Sequence, residues 1–531
     1  MVTGRGRHRD RLVDSTPWML LGITGLAAAL RLYRIGAPGL WTDEAVSAWI
    51  VTHHSWSDML YWVRVYEAKP PLYFLLLRLW AMASTSEGFL RLMSALFGTL
   101  TVPAVYGIGR VVGDRDAGLT AALLMAISPS NVLFSQQVRM YSLLTLVAAV
   151  SILGQAWLLS RAEDEMTPNR TVPRRPMSTP RHRLKPAWRA GRGGALVYVL
   201  GTAAAVWVHI AAPLLPLAAN GVALLTYRQL ARRLQFIRNW IVAQVAVLAV
   251  CSPLISVYAH QWPGPNLAWI SAPSSWSTLT ALLPDLELFS GLSGRRLTLV
   301  LALEFLPLTI TVCVAMWAWK RSRHWLSLTL GLWLLPLVGE ITLTVLWHPV
   351  LLPRSLIWTS IPLYVLVAAS VTHLRSRPVF RAVTLVMLLL VMTYGLYQNY
   401  WRKPEREAWR PVADYVARAA RQGDLILFNS NLVQLPFDHY FELYHIPIAE
   451  RGIPSDLGAN SFEQRMTAAD LPVLRSLATS HKRLWLVYSH YWFTDPHGLI
   501  PTNLRQMARL VERQSFPSRE PILLFLYESR R

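Results

Sequence analysis

Long apolar runs separated by short, mostly basic polar segments dominate the first four hundred residues of this 531-residue chain. A helix needs ~20 apolar residues to cross the hydrocarbon of a bilayer. Eleven runs qualify as spans: 17–33, 89–110, 117–134, 140–160, 195–211, 213–228, 239–259, 297–319, 325–347, 354–374 and 382–400. The run from Pro70 to Ala83 is also apolar, but it is short for a crossing and suits an interfacial or re-entrant helix. After residue 400 the pattern changes. Short apolar runs at 425–428, 484–488 and 522–527 alternate with helix-like stretches such as 409–421, which Gly423 closes. This predicts a small α/β domain over 401–531 behind an α-helical polytopic membrane module over 17–400.

Composition agrees with the pattern. With 53% hydrophobic and 15% charged residues and a mean hydropathy of +0.31, the chain is not an ordinary soluble enzyme. A net charge of +22 raises the question of nucleic acid, but the cations flank apolar runs, as membrane orientation requires, so no nucleic-acid partner is expected. With the basic terminus 1–16 inside, the cytoplasmic segments carry 25 Lys and Arg and the outer ones before residue 401 carry ten. Counting 71–83 as a crossing would put the Arg-rich loop 161–194 outside and break the rule. Eleven spans then leave the loop 31–88 and the C-terminal domain on the outer side of the cell membrane. Arg5, Arg7, Arg9 and Arg11 before the first span, without a small-residue cleavage pattern, read as a retained signal anchor. Cys251 and Cys313 lie inside apolar runs and suggest neither a disulfide nor a thiolate metal site.

The first outer loop is far longer than a connection requires, and long ordered loops are commonly functional. It contains Asp43-Glu44 after Pro38 and Gly39, a pair that also suits the first turn of a helix. Arg139 enters the fourth span from its outer end, Lys69 precedes Pro70-Pro71, and Arg354 opens the tenth span. Glu304 and Glu340 fall inside spans, toward the same face. Ionisable groups at membrane depth usually face a cavity, a partner or an aqueous path. Snorkelling is the simpler reading of the three cations, and a buried ion pair that of the two glutamates. His53-His54 has no zinc-site spacing, and no Gly-rich phosphate loop follows a strand. His209, His260 and His348 near outer span ends read as packing or interfacial residues, while Trp41, Trp262 and Trp269 are candidates to stack on sugars.

The ordered set Leu40-Trp-Thr-Asp43-Glu44-Ala, Lys69-Pro-Pro-Leu-Tyr73, Arg91-Leu-Met-Ser-Ala and Ser135-Gln-Gln-Val-Arg139-Met-Tyr141 resembles bacterial membrane glycosyltransferases of family 39. These belong to the GT-C superfamily, with protein O-mannosyltransferases and the lipid A aminoarabinose transferase as relatives. Leu352-Pro353-Arg354, Trp409-Arg410 and Pro436-Phe437-Asp438-His-Tyr440 extend the likeness. Lys69 stands where the family usually has His, Gln137 where it usually has Glu, and Ser355 where an aromatic often follows the Arg. The first two departures remove a candidate metal ligand and a carboxylate, leaving a divalent metal ion as an open cofactor.

The resemblance implies transfer of a sugar, with inversion, from a polyprenyl-phosphate donor to a hydroxyl of a glycan, lipid or protein acceptor at the outer face, among membrane lipids. Asp43 would be the general base. Glu44 would orient it, bind the acceptor or substitute. Arg139, Lys69 and Arg354 would hold the donor phosphate. Tyr73, Gln136, Gln137 and Tyr141 would bind substrate. Two rival readings are a lipid-linked-sugar transporter or flippase, favoured by the embedded glutamates, and an inert membrane scaffold, favoured by Lys69 and Gln137.

Overall fold

The computed structural model describes residues 15–67, 69–163, 191–261, 270, 323–402, 406–455 and 464–530. The expected span 297–319, Glu304, Trp262, Trp269 and most of the 161–194 loop lie outside the described residues.

The first eight helices are α1 (Thr16–Leu32), α2 (Thr42–Thr52), α3 (Trp56–Trp62), α4 (Leu72–Ala81), α5 (Glu87–Val112), α6 (Arg115–Ile127), α7 (Pro129–Ser135) and α8 (Tyr141–Glu163), the longest of them on the longest apolar runs. Next come α9 (Gly191–Val208), α10 (Leu214–Thr226), α11 (Arg233–Cys251), α12 (Ile255–Gln261), α13 (Arg323–Leu346), α14 (Ser360–His373) and α15 (Pro378–Tyr397). Among the described residues six helices are long and apolar enough to cross a membrane, or seven if α6 and α7 are counted as one bent span. The 70–83 run forms α4, a helix of ten residues. The run 213–228 yields only the 13-residue α10, about 20 Å of helix at 1.5 Å per residue and short of the hydrocarbon thickness.

The run 117–134, expected as one helix, is two helices bent by 57°. Proline explains the break. Pro129 has no N–H to give the carbonyl of Met125, and Ser128 leaves the helical region and caps α7 by accepting from Asn131 N–H. Arg31, fully buried on α1, supplies the missing donors. Its Nη2 donates to the Met125 carbonyl at 3.2 Å, Nη1 to the Ala126 carbonyl at 3.0 Å, and Nε to Ser135 Oγ at 3.2 Å. A buried charge thus satisfies a broken backbone. The bend aims the end of α7, and with it residues 136–139, at the segment that carries Asp43 and Glu44.

Small residues let helices approach closely, the usual basis of helix packing in lipid. A Cβ on Gly154 of α8 would lie 2.3 Å from Tyr198 N of α9, and one on Gly201 would lie 2.4 Å from Ser151 N. At the centre, every residue of α14 from Ser360 to Thr372 is buried. A 3₁₀ turn over Pro353–Thr359 leads into it and carries Arg354.

The C-terminal region is an α/β domain. Strands β1 (Leu425–Phe428), β2 (Ala449–Gly452), β3 (Arg483–Tyr488), β4 (Ala508–Phe516) and β5 (Ile522–Ser529) form one sheet in the order β2-β1-β3-β5-β4. The β1 strand pairs parallel with β2 and β3, whereas β5 runs antiparallel to β3 and β4. The apolar runs correspond to β1, β3 and β5, which are buried on both faces. Exposed polar residues line β2 and β4, so alternation does not mark them. Helices α16 (Trp409–Ala419) and α17 (Asn431–Phe441) cover one face through Trp409, Val412, Phe437 and Phe441. Gly423, at φ +88°, turns the chain from α16 into β1.

This domain docks on the segment 31–88. Tyr440 of α17 accepts the Leu40 N–H at 2.6 Å and donates to Glu87 at 3.0 Å, where Arg410 also binds.

Candidate active site

Helix α2 opens with Trp41 as its cap residue, which offers no side-chain acceptor to the free amides of the first turn. Glu407, from the segment leading into the C-terminal domain, takes that role. Its Oε2 accepts from Thr42 N–H at 2.8 Å, from the Thr42 hydroxyl and from Trp409 Nε1. Asp43 and Glu44 follow in the first turn and, being adjacent on a helix, point in different directions.

Glu44 is 1% exposed and both its oxygens are occupied. Arg91 Nε and Nη2 donate to it at 2.9 and 2.6 Å, and Val138 N–H at 2.8 Å. Arg91 also donates to the carbonyls of Ile35, Pro38 and Gly39, tying the approach to α2 against α5. Glu44 therefore joins α2 to the Val138 backbone and offers no free oxygen to stand in for Asp43.

Asp43 points the other way and stays 30% exposed. Its Oδ2 lies 3.4 Å from Arg354 Nη1 and 3.7 Å from Arg139 Nη2. Arg139 is 2% exposed, and its Nη1 also donates to Ser47 Oγ at 2.8 Å and to Glu67 Oε1 at 2.9 Å. Glu67 in turn binds Lys69. Burial would raise the Asp43 carboxyl, but Arg139, Arg354, Lys69 and Arg406 together outweigh it and hold the group at about 2. Glu67 is held below the usual glutamate range in the same way: burial opposes, and Arg139 and Lys69 prevail. The result is two carboxylates among four cations, with a net positive field suited to an anion.

Of the residues singled out in the sequence, Asp43, Arg139, Arg354 and Lys69 meet in this cluster. Tyr73 is fully buried on α4 against Phe74, and Tyr141 is buried between Phe134 and His209. Gln136 closes the end of α1, its amide donating to the carbonyls of Leu30, Arg31 and Tyr33. Gln137 is 7% exposed and lines a cavity of about 480 Å³ beside the cluster. The walls of this cavity also include Trp41, Arg354 and Arg406, whose guanidinium stacks on Trp41 at 3.5 Å.

Glu67, Arg406 and Glu407 were not legible as site residues. Glu67 carries a weak signal, an acid two positions before Lys69. The other two reach α2 from over 360 residues away, a distance no local pattern spans. Among the described residues no three of His, Cys, Asp and Glu come together to hold a metal ion. The cations around Asp43 and Glu67 already satisfy the carboxylates a metal would need, so the cluster does not fit one.

Residues 68–168, which include Lys69, Tyr73, Arg91 and Arg139, match the family model of dolichyl-phosphate-mannose-protein mannosyltransferases. That match covers part of the chain, and the likeness of the whole chain to solved structures is one of fold. Among solved structures it is similar to ArnT from Cupriavidus metallidurans bound to undecaprenyl phosphate, at 14% identity over 96% of this chain and 98% of that one, with a TM-score of 0.56. The apo state of the same protein gives a TM-score of 0.58 at the same identity and coverage. The archaeal oligosaccharyltransferase AglB from Archaeoglobus fulgidus, in complex with an inhibitory peptide and a dolichol-phosphate, is 11% identical over 94% of this chain and 73% of that one, with a TM-score of 0.51. A sequence search of curated proteins finds no match.

Proposed function

We propose that the chain moves a sugar from a polyprenyl-phosphate donor to an acceptor hydroxyl, with inversion, at the extracytoplasmic face of the cell membrane. The observation that carries this reading is the partly exposed Asp43 carboxylate, set between Arg139 and Arg354 with Lys69 behind them. Polyprenyl phosphates in the structures of ArnT and AglB support a lipid-phosphate donor. The excess of cations on the opposite loops supports the sidedness.

In this reading the acceptor oxygen attacks the anomeric carbon as Asp43 takes its proton. The bond from that carbon to the phosphate oxygen breaks, and polyprenyl phosphate leaves with the electron pair. Arg139, Lys69 and Arg354 stabilise the charge that grows on it. An aspartate held at about 2 is a weak base. A bound phosphate offsets the cations that depress it, so donor binding makes Asp43 more basic and favours donor first, acceptor second.

The test is to incubate the purified chain with polyprenyl-phosphate sugars and a membrane extract and to follow both products. A transferase releases polyprenyl phosphate and labels an acceptor. A flippase moves intact donor across a vesicle wall and releases none, and that result would refute the proposal.

A further inference from the structure

The cavity beside Asp43 lies at the outer ends of α1, α7, α14 and α15 and is roofed by the C-terminal domain. Its volume of about 480 Å³ falls within the ~300–1,000 Å³ range of small-molecule sites. Of the three cations assigned to the leaving group only Arg354, 3.4 Å from Asp43, is on its walls; Lys69, Arg139 and Asp43 itself are not. The cavity therefore adjoins Asp43 across Arg354, on the side away from Lys69 and Arg139, from which a nucleophile can approach.

Two features describe what fits. Its lining is cationic. Arg91 is neutralised by Glu44, and Arg354 and Arg406 face Asp43, which leaves Arg34 and Arg519 against the single acid Glu520. The second is a set of unmet acceptors. The side-chain carbonyls of Gln137 and Asn399 are buried with no hydrogen-bond partner among the described residues, and Gln137 is more than nine-tenths buried. An amide carbonyl accepts and never donates, so these two call for a ligand rich in hydroxyl donors. Trp41, with Arg406 stacked on it, adds an aromatic wall.

We infer that this cavity binds an anionic saccharide as the acceptor, its hydroxyls donating to Gln137 and Asn399 and its negative group meeting Arg34 and Arg519. This rests on the transferase reading and adds the acceptor class to it. A neutral hydroxyl-bearing peptide would leave those cations without a counter-charge.

The test is calorimetric titration of the full chain in detergent micelles with trigalacturonate, maltotriose and a neutral threonine-containing peptide. Vesicles carrying sulfoquinovosyl diacylglycerol form a separate arm. Trigalacturonate is expected to bind saturably and at least about tenfold more tightly than maltotriose or the peptide. Binding only in the vesicle arm would assign the saccharide to a lipid headgroup. Arg519→Ala and Arg34→Ala, both at exposed positions, are each expected to weaken trigalacturonate by about tenfold. Undecaprenyl phosphate titrated into the same proteins reads the Arg139 and Lys69 side. If it binds while trigalacturonate does not, the cavity inference fails and the donor reading stands; if it too fails in the wild type, the transferase reading fails instead. Equal affinity for the neutral and anionic sugars, preference for the peptide, or variants that bind like the wild type would overturn the inference.

Discussion

The carboxylate of Glu407 accepts the backbone N–H of Thr42 at 2.8 Å, joining residues 365 positions apart and capping the helix that presents Asp43. The C-terminal domain therefore acts on the candidate site through a helix terminus, with His490 3.6 Å from the other oxygen of Glu407.

This contact predicts that Glu407→Ala lowers turnover while leaving donor KM nearly unchanged, because it misplaces the base and touches no donor group. Loss of a helix cap costs about 0.5–2 kcal/mol, to be seen as a reduced melting temperature in detergent. Glu407→Gln keeps an acceptor and should recover much of both. A large rise in donor KM with kcat intact would contradict the positioning role.

The buried pair of Arg91 and Glu44 calls for a different signature. Arg91→Met strands the Glu44 carboxylate at 1% exposure, and breaking such a pair costs about 3–5 kcal/mol. The double variant Arg91→Met/Glu44→Gln should be more stable than Arg91→Met alone. Thermal unfolding of the set checks this, and a double variant no better than the single one would show that the pair does not act as a unit.

The pH dependence follows from Asp43. Its folded-state carboxyl lies at about 2, below the ordinary 3.8, so its ionic stabilisation is fully present above about pH 4 and is lost as pH falls through 2. Between pH 5 and 8 Asp43 should contribute no acid limb to kcat/KM. Lys69→Met removes one of the cations that depress the group, so any acid limb must move upward. A profile of kcat/KM against pH for the two proteins measures it, and a downward shift would be inconsistent with the assigned field.

The helix break offers a purely structural test. Gly98 of α5 faces it so closely that a Cβ would lie 2.1 Å from Ser135 Oγ and 2.8 Å from Arg31 Nε. Gly98→Val should therefore displace Arg31 from the carbonyls of Met125 and Ala126 and destabilise the fold, with a lower yield of monodisperse protein in detergent. Normal yield and melting temperature would show that the bend tolerates the crowding.

Much of the architecture can be read from the chain because spans and buried strands are written as apolar runs. The six qualifying helices, α4 and the strands β1, β3 and β5 all follow from that pattern. The bend at Pro129 was missed because Ser128-Pro129 sits within an otherwise continuous apolar run, and its compensation comes from Arg31 on another helix. For the site, Asp43, Arg139, Lys69 and Arg354 share one place because four separate segments of the chain end beside one another. The division of labour between Asp43 and Glu44 is set by which side of α2 meets Arg91. The acid Glu67 between Arg139 and Lys69 depends on how the chain folds back through residues 63–67, and the carboxylate of Glu407 on how the distant domain docks. Local spacing encodes neither.

The central claim, that Asp43 takes the acceptor's proton, is tested most directly by Asp43→Asn assayed for sugar transfer from a polyprenyl-phosphate donor. Asparagine keeps the shape and removes the basicity, and general-base catalysis typically contributes 10²–10⁴-fold. The account predicts a loss of about that size in kcat, with donor lipid still bound and the melting temperature close to that of the wild type. Turnover within a few-fold of the wild type would contradict it and remove Asp43 from the role.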